Sequence, residues 1–296
     1  MLEHSVHNRI DRNSGEAGFI KLGSKKLDFG KKPLVMGIVN ITPDSFYDGG
    51  RYNSPRHALG RIASLIKNGA DIIDIGGEST RPGSLGVSAK EELERVIPVI
   101  EAASVEFDTL ISVDTTKAAV AEEAFGCGAS MVNDISGLSF EPQLAQKAAE
   151  AGAAIILTHT SSRPVDMQEK THYTSLVPNI TDFLLNSAQS AMAAGVPREN
   201  IIIDPGIGFG KTTPQNLEII RELEEFCRLR FPVCIGTSRK SFIGEILEVP
   251  LAEQRLIGSV CSAIISMLKG VSIVRVHDVL ETVQAIRTVN SIYGTN

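Results

Sequence analysis

Hydrophobic positions fall along this chain in two alternating patterns. From Leu34 onward, short runs rich in Val, Ile and Leu recur eight times, as LVMGIVN, DIIDIG, TLISVD, SMVNDI, AIILTH, IIIDPG, PVCIGT and SIVRVH. Between them lie longer amphipathic stretches with apolar residues at helical spacing, among them 54–68, 88–105, 116–126 and 142–150. The short runs are apolar almost without interruption, which predicts parallel strands covered by helices on the outside. Eight strand-then-helix units predict an α/β fold, a single closed (β/α)8 TIM barrel spanning 19–296, with an open doubly wound sheet as the alternative. Ahead of the first unit, Phe19, Ile20 and Leu22 are balanced against Leu27 and Phe29 across Gly23-Ser24, the pattern of a short β-hairpin expected to close the barrel floor. Residues 1–18 are polar, mixed in charge and lack the apolar core of a signal peptide, and they predict a disordered tail.

Composition narrows the function. At 296 residues and 43% hydrophobic content the chain can bury one large core. A net charge of -6 argues against broad binding to nucleic acid or an anionic membrane, so any cations that matter must be local. No apolar run reaches the roughly 18 residues of a membrane span, and a cytoplasmic setting is expected. The four cysteines, Cys127, Cys227, Cys234 and Cys261, form no CxxC pair and no metal-ligand spacing with the six histidines; free thiols are expected.

The barrel's catalytic rim is built from the C-terminal ends of its strands. Here the first strand ends in Asn40, the second in Asp74, the third in Asp114, the fourth in Asn133-Asp134 and the sixth in Asp204. A single such residue often caps the next helix, but five strand ends carrying carboxylates or carboxamides suggest a pocket whose acceptors meet the N–H edge of an amide-like heterocycle. Strands seven and eight supply Ser238-Arg239-Lys240 and Arg275-Val276-His277, and loops after these strands commonly bind phosphate. The same cations can instead pair with the rim acids. Gly/Pro-rich loops at 42–50 and 76–83 have the make-up of lids. The stretch Gly206-Ile207-Gly208-Phe209-Gly210-Lys211-Thr212 ends like a P-loop, but Pro205 occupies the position of the first glycine, and it is neither that motif nor a dinucleotide fingerprint.

Five separated blocks then resemble, in order and content, the dihydropteroate synthases, pterin-binding TIM-barrel enzymes of folate biosynthesis. They are Gly37-Ile38-Val39-Asn40-Ile41-Thr42-Pro43-Asp44-Ser45-Phe46, Gly76-Gly77-Glu78-Ser79-Thr80-Arg81-Pro82-Gly83, Asp204-Pro205-Gly206-Ile207-Gly208-Phe209-Gly210-Lys211, Thr237-Ser238-Arg239-Lys240-Ser241 and Arg275-Val276-His277-Asp278. The resemblance implies a transferase that joins 6-hydroxymethyl-7,8-dihydropterin diphosphate to p-aminobenzoate, giving 7,8-dihydropteroate and pyrophosphate. It implies pterin binding by Asp114, Asn133, Asp204, Phe209 and Lys240, and p-aminobenzoate binding by Phe46, Thr80, Arg81, Pro82 and Ser238. The diphosphate falls to Asn40, Arg81, Arg275 and His277, magnesium (Mg2+) to Asn40, and catalysis to Asp114, Lys240, Arg275 and His277. Sulfonamide competition and a homodimer through late helices are further implications.

The chemistry requires C–O cleavage at the pterin methylene, so cations must serve the departing diphosphate, and an SN1-like path under closed lids is expected. Two positions depart from the family pattern. The fifth rim loop reads Thr158-His159-Thr160-Ser161, without the methionine that commonly packs on the pterin, and Tyr47 stands where a small residue is usual. A pterin-dependent methyltransferase and a non-catalytic pterin binder are the rival functions.

Overall fold

The computed structural model of the chain describes residues 19–22, 25–29, 32–42 and 55–294. The expected tail 1–18 lies outside the described residues, as do Phe46, Tyr47 and the rest of 43–54. After a hairpin of β1 (Phe19–Leu22) and β2 (Lys25–Asp28), the chain runs β3 (Leu34–Asn40), α1 (Pro55–Lys67), β4 (Ile72–Gly76), α2 (Ala89–Glu106), β5 (Leu110–Asp114) and α3 (Ala118–Gly126). It continues through β6 (Met131–Asp134), α4 (Gln143–Glu150), β7 (Ala154–Thr158), α5 (Leu176–Ala193) and β8 (Ile201–Asp204). Then follow α6 (Thr213–Arg221), α7 (Leu223–Cys227), β9 (Cys234–Ile235), α8 (Ser241–Leu247), α9 (Leu256–Leu268), β10 (Ile273–Val276) and α10 (Val279–Tyr293).

Strands β3 to β10 form one parallel sheet in the order β8-β7-β6-β5-β4-β3-β10-β9. A parallel bridge between Ile203 and Val233, with Ile203 N donating to Pro232 O at 3.0 Å, joins its two ends and closes the barrel. The seventh barrel strand is shorter than the run PVCIGT predicts. Pro232 has no N–H for the ladder, and the chain turns away after Ile235, where Lys240 N bonds Thr237 O at 3.2 Å.

Alternate residues of a strand point to opposite faces. Val35, Ile73, Val113, Val132, Ile155, Ile203 and Val274 therefore face the helices and join the outer core. The other parity faces inward, where Leu34, Met36, Ile72, Leu110, Met131, Ile156, Ile202 and Ile273 form a second cluster with Ile20, Leu22, Leu27 and Phe29 of the hairpin. The hairpin thus plugs the floor as expected. Helix starts are locally encoded: Ser88 caps α2 by accepting Glu91 N at 3.2 Å, and Thr212 with Gln215 forms a capping box on α6. Among the described residues, no single helix is long and apolar enough to cross a membrane, and all four cysteines are free.

Candidate active site

Following the inward parity upward from the floor, the residues change from apolar to charged. Asn40, Asp74, Asp114, Asn133, Asp204 and Arg275 all occupy it; Asp74, Asn133, Asp204 and Arg275 stand directly above floor residues on their own strands, and Asp114 stands above Leu110 with the buried Ser112 between them. Two expectations need correction. Asp74 is not at a strand end: it lies mid-strand in β4, fully buried, one layer below the rim. Asp134 shares the end of β6 with Asn133 but has the opposite parity. Its carboxylate is spent on its own loop, accepting Ser136 N at 2.8 Å, Ser136 Oγ at 2.6 Å and Leu138 N at 2.6 Å.

The inward acids and Arg275 are joined. Arg275 donates Nε to Asp74 Oδ2 and Nη2 to Asp114 Oδ2, both at 2.6 Å, and Asn133 Nδ2 donates to Asp74 Oδ2 at 3.1 Å. Asp74 thus sets the orientation of one expected diphosphate ligand and one expected pterin ligand. Burial pushes the Asp114 carboxyl up to about 7, with Arg275 pulling against it. Burial opposes the charge on Arg275, but Asp74 and Asp114 outweigh it and hold the guanidinium more firmly protonated than usual.

Across the mouth, Lys240 donates Nζ to Ile207 O and stands 4.6 Å from the centre of the Phe209 ring. Burial lowers its ammonium to about 8, countered by Asp204. Asp204 is raised by burial and supported by Lys240, and its Oδ1 accepts Gly206 N at 2.7 Å. The loop carrying Phe209 is pinned by Asn216 Oδ1 on Gly208 N (2.7 Å), Gln168 on Gly208 O (2.9 Å) and Tyr173 on Gly210 O (2.9 Å). At Gly206 φ is 75°, and a Cβ would stand 1.9 Å from His159 O, so only glycine fits there. The P-loop-like Lys211 is buried beneath this loop, with Nζ 2.8 Å from His159 Nδ1 and donating to Phe209 O at 3.0 Å. In that position the Lys211 ammonium is bonded beneath its own loop and buried, not exposed as a phosphate loop would need.

His277 Nδ1 lies 3.0 Å from Ser238 Oγ, which also accepts His277 N at 3.1 Å. Burial, then Arg275, Arg239 and Arg61, depress the ring to about 3, so it faces the site as a neutral imidazole rather than a third cation. Arg239, adjacent in sequence to Ser238 and Lys240, is committed elsewhere: it clasps Asp278 through Nε at 2.9 Å and Nη2 at 2.5 Å. The loop after β4 leaves Thr80 half-buried and Arg81 and Pro82 exposed, and Gly83 N ties it to Pro164 O at 2.8 Å. In the departing loop after β7, Thr160 Oγ1 donates to Ser162 O (2.7 Å) and Ser161 Oγ to Met167 O (3.1 Å), so its polar groups satisfy one another.

The sequence reading missed Asp74 as an anchor, and also Lys117, Glu78 and Glu92. A visible signal existed for Glu92, a charge standing on the same helical stripe as Val96, Val99 and Ile100.

The family model described as pterin binding enzyme matches residues 36–277. A dihydropteroate synthase from Synechocystis sp. is 46% identical over 274 residues, 93% of this chain and 95% of that protein. Among solved structures, a Yersinia pestis dihydropteroate synthase with a sulfonamide drug complex superposes with TM-score 0.88 at 42% identity, covering 93% of this chain and 99% of that one. A Xanthomonas albilineans dihydropteroate synthase with 4-aminobenzoic acid gives TM-score 0.87 at 39% identity, covering 93% and 98%. With its barrel, its acid and cation walls and these matches taken together, the chain belongs to the pterin binding enzyme family and, within it, to the dihydropteroate synthases.

Proposed function

We propose that the mouth of this barrel condenses 6-hydroxymethyl-7,8-dihydropterin diphosphate with p-aminobenzoate, and that the division of labour follows its two walls. The observation that carries the assignment of roles is the Asp74-Asp114-Asn133-Arg275 network facing Asp204, Phe209 and Lys240 across one mouth. Asp114, Asn133 and Asp204 accept and donate along the pterin edge, Phe209 covers its face, and Lys240 leaves Ile207 O to contact its carbonyl side.

Arg275 is already oriented by two carboxylates, and the diphosphate competes for its guanidinium, joined by Asn40, Arg81 and the neutral N–H of His277. A dedicated metal cage is not what these residues offer: no cluster of three or more His, Cys, Asp or Glu suited to a metal occurs among the described residues. The half-buried carboxamide of Asn40 fits magnesium carried on the diphosphate, since that ion keeps water and phosphate oxygens around one or two protein ligands. When bound, magnesium neutralises the leaving group.

As the C–O bond breaks, electron density leaves with the diphosphate toward Arg275. Asp114 and the pterin pocket favour the cation that remains. The arylamine, held near Phe46, Thr80, Arg81, Pro82 and Ser238, forms the C–N bond with its own lone pair, and the acidic proton this leaves on its nitrogen passes to water or the freed pyrophosphate, so no strong base is needed. Exclusion of water by the rim loops protects the intermediate. Sulfonamides compete for the arylamine position. Free thiols support a cytoplasmic setting, and the exposed Ile257 and Ile265 of α9 support a homodimer through that helix.

The assay supplies dihydropterin diphosphate, p-aminobenzoate and magnesium, and measures pyrophosphate and dihydropteroate. Equal amounts of both are expected, and no product above background would overturn the reading.

A further inference from the structure

The loop from β4 to α2, which carries Thr80 and Arg81, has its footing in a cluster of charges beside Asp114. Lys117 follows Asp114 by three residues and places Nζ 2.5 Å from Glu78 Oε2 and 2.5 Å from Glu92 Oε2. Glu92 is fully buried on the inner stripe of α2. Glu78 Oε2 also accepts Val87 N at 3.1 Å, drawing the far end of the loop back to its start. One helical turn beyond Glu91, Arg95 donates to Gly77 O at 2.7 Å while pairing with Glu91 at 2.5 Å. At Gly77 the backbone rests so closely on α2 that a Cβ would meet Val96 Cγ1 at 2.7 Å. A single ammonium therefore links the loop after β5, the helix behind it and the base of the loop after β4.

We infer that Lys117, with Glu78 and Glu92, is a positioning cluster that holds the loop bearing Thr80 and Arg81 in register with Asp114, so that the arylamine side of the site is set against the pterin side. The inference deepens the proposed function and rests on it for the roles of those loop residues. Burial raises the Glu92 carboxyl and the Lys117 ammonium pulls against it, and the same ammonium also reaches Glu78, the first residue beyond the closely packed Gly76-Gly77 pair. Misplacing reacting groups by about 1 Å can cost on the order of 100-fold in rate, so a clasp at the loop base has a catalytic consequence without touching substrate.

Lys117→Met leaves two carboxylates unpaired and risks misfolding. Glu78→Gln is the sharper test, because it keeps the shape and the acceptor for Val87 N and leaves the Lys117–Glu92 pair intact. The expected result is a roughly tenfold rise in KM for p-aminobenzoate, with affinity for dihydropterin diphosphate changed by less than about twofold and Tm by less than about 2 °C. Unchanged constants for both substrates, or parallel losses for both together with a fall in Tm, would overturn it. Amide hydrogen exchange supplies a readout independent of turnover: residues 77–87 should exchange faster in Glu78→Gln while β5 does not. If the unmodified enzyme made no dihydropteroate, the proposed function would fail, and unaltered exchange at 77–87 would still be needed to defeat the clasp.

Discussion

The floor and the mouth of this barrel are built from the same strands and the same inward face, yet two to four residues along each strand reverse the chemistry. Ile72 gives way to Asp74, Leu110 to Asp114, Met131 to Asn133, Ile202 to Asp204 and Ile273 to Arg275. A step of two residues is about 6.6 Å, so a dry plug lies directly beneath a charged network. The floor gains stability by removing apolar surface from water. The mouth holds groups away from their ordinary ionisation: Asp114 is pushed up to about 7, Lys240 down to about 8 and His277 down to about 3, each chiefly by burial. What burial costs these groups, a charged ligand can return, and that difference separates a folding element from a binding one.

The boundary between the two layers is where a substitution should do the most damage. Asp74→Ala removes the acceptor shared by Arg275 and Asn133 and leaves a buried guanidinium with one partner fewer, for an expected loss of about 3–5 kcal/mol in stability by denaturant unfolding together with loss of turnover. A variant as stable and active as the parent would mean that Asp74 anchors nothing. Asp114→Asn, one layer higher, keeps the shape and an oxygen acceptor for Arg275, so it should cost folding less than Asp74→Ala while cutting kcat by about 100- to 1,000-fold, because it removes the charge proposed to face the developing cation. Stopped-flow product formation measures it, and an unaffected rate contradicts the role.

Strand parity is why so much of the site was legible in the sequence. Eight apolar runs locate the strands, and counting by two from Leu34, Leu110 or Ile273 leads to Asn40, Asp114 and Arg275. Parity also separates Asn133 from Asp134, which a list of strand-end residues does not. The pairing of Arg275 with two acids was foreseeable as chemistry but not as geometry, since Asp74 and Arg275 are 201 residues apart. Loop conformation was less legible still. Arg239 sits between Ser238 and Lys240 in the chain but adopts φ 58° and turns to Asp278, and Lys211 is drawn under its own loop toward His159 by packing that no local pattern encodes.

Titration sharpens the contrast. Lys240 is cationic below about 8 and neutral above it, so kcat/KM for the pterin substrate should fall by up to about tenfold per pH unit as pH rises beyond 8. The effect on stability has the opposite sign. Because the folded value lies below the ordinary 10.5, Lys240 contributes stability that is fully present above 10.5 and lost as pH falls through about 8. Activity and this contribution to stability therefore move in opposite directions between 8 and 10.5, which alkaline unfolding cannot mimic. Lys240→Arg, charged throughout, should flatten the activity profile, and a profile that still falls would assign the titration to another group.

The smallest expected effect tests the floor by itself. Ile156 is fully buried in the inner cluster, on the same face of β7 as Thr158 at the rim, and Ile156→Val deletes one methylene where the neighbours cannot fully collapse. The expected cost is about 0.5–1.5 kcal/mol in stability, seen as a lower denaturation midpoint with an unchanged slope. Both KM values and the Lys240 pH profile should stay as they are, because Asn133, the in-register neighbour of Ile156 on β6, is held by its bond to Asp74 and the network around it is fixed by ion pairs. If this substitution moved either KM by more than about twofold, the floor would be setting the position of the mouth through packing, and the separation between a stabilising layer and a binding layer would have to be abandoned.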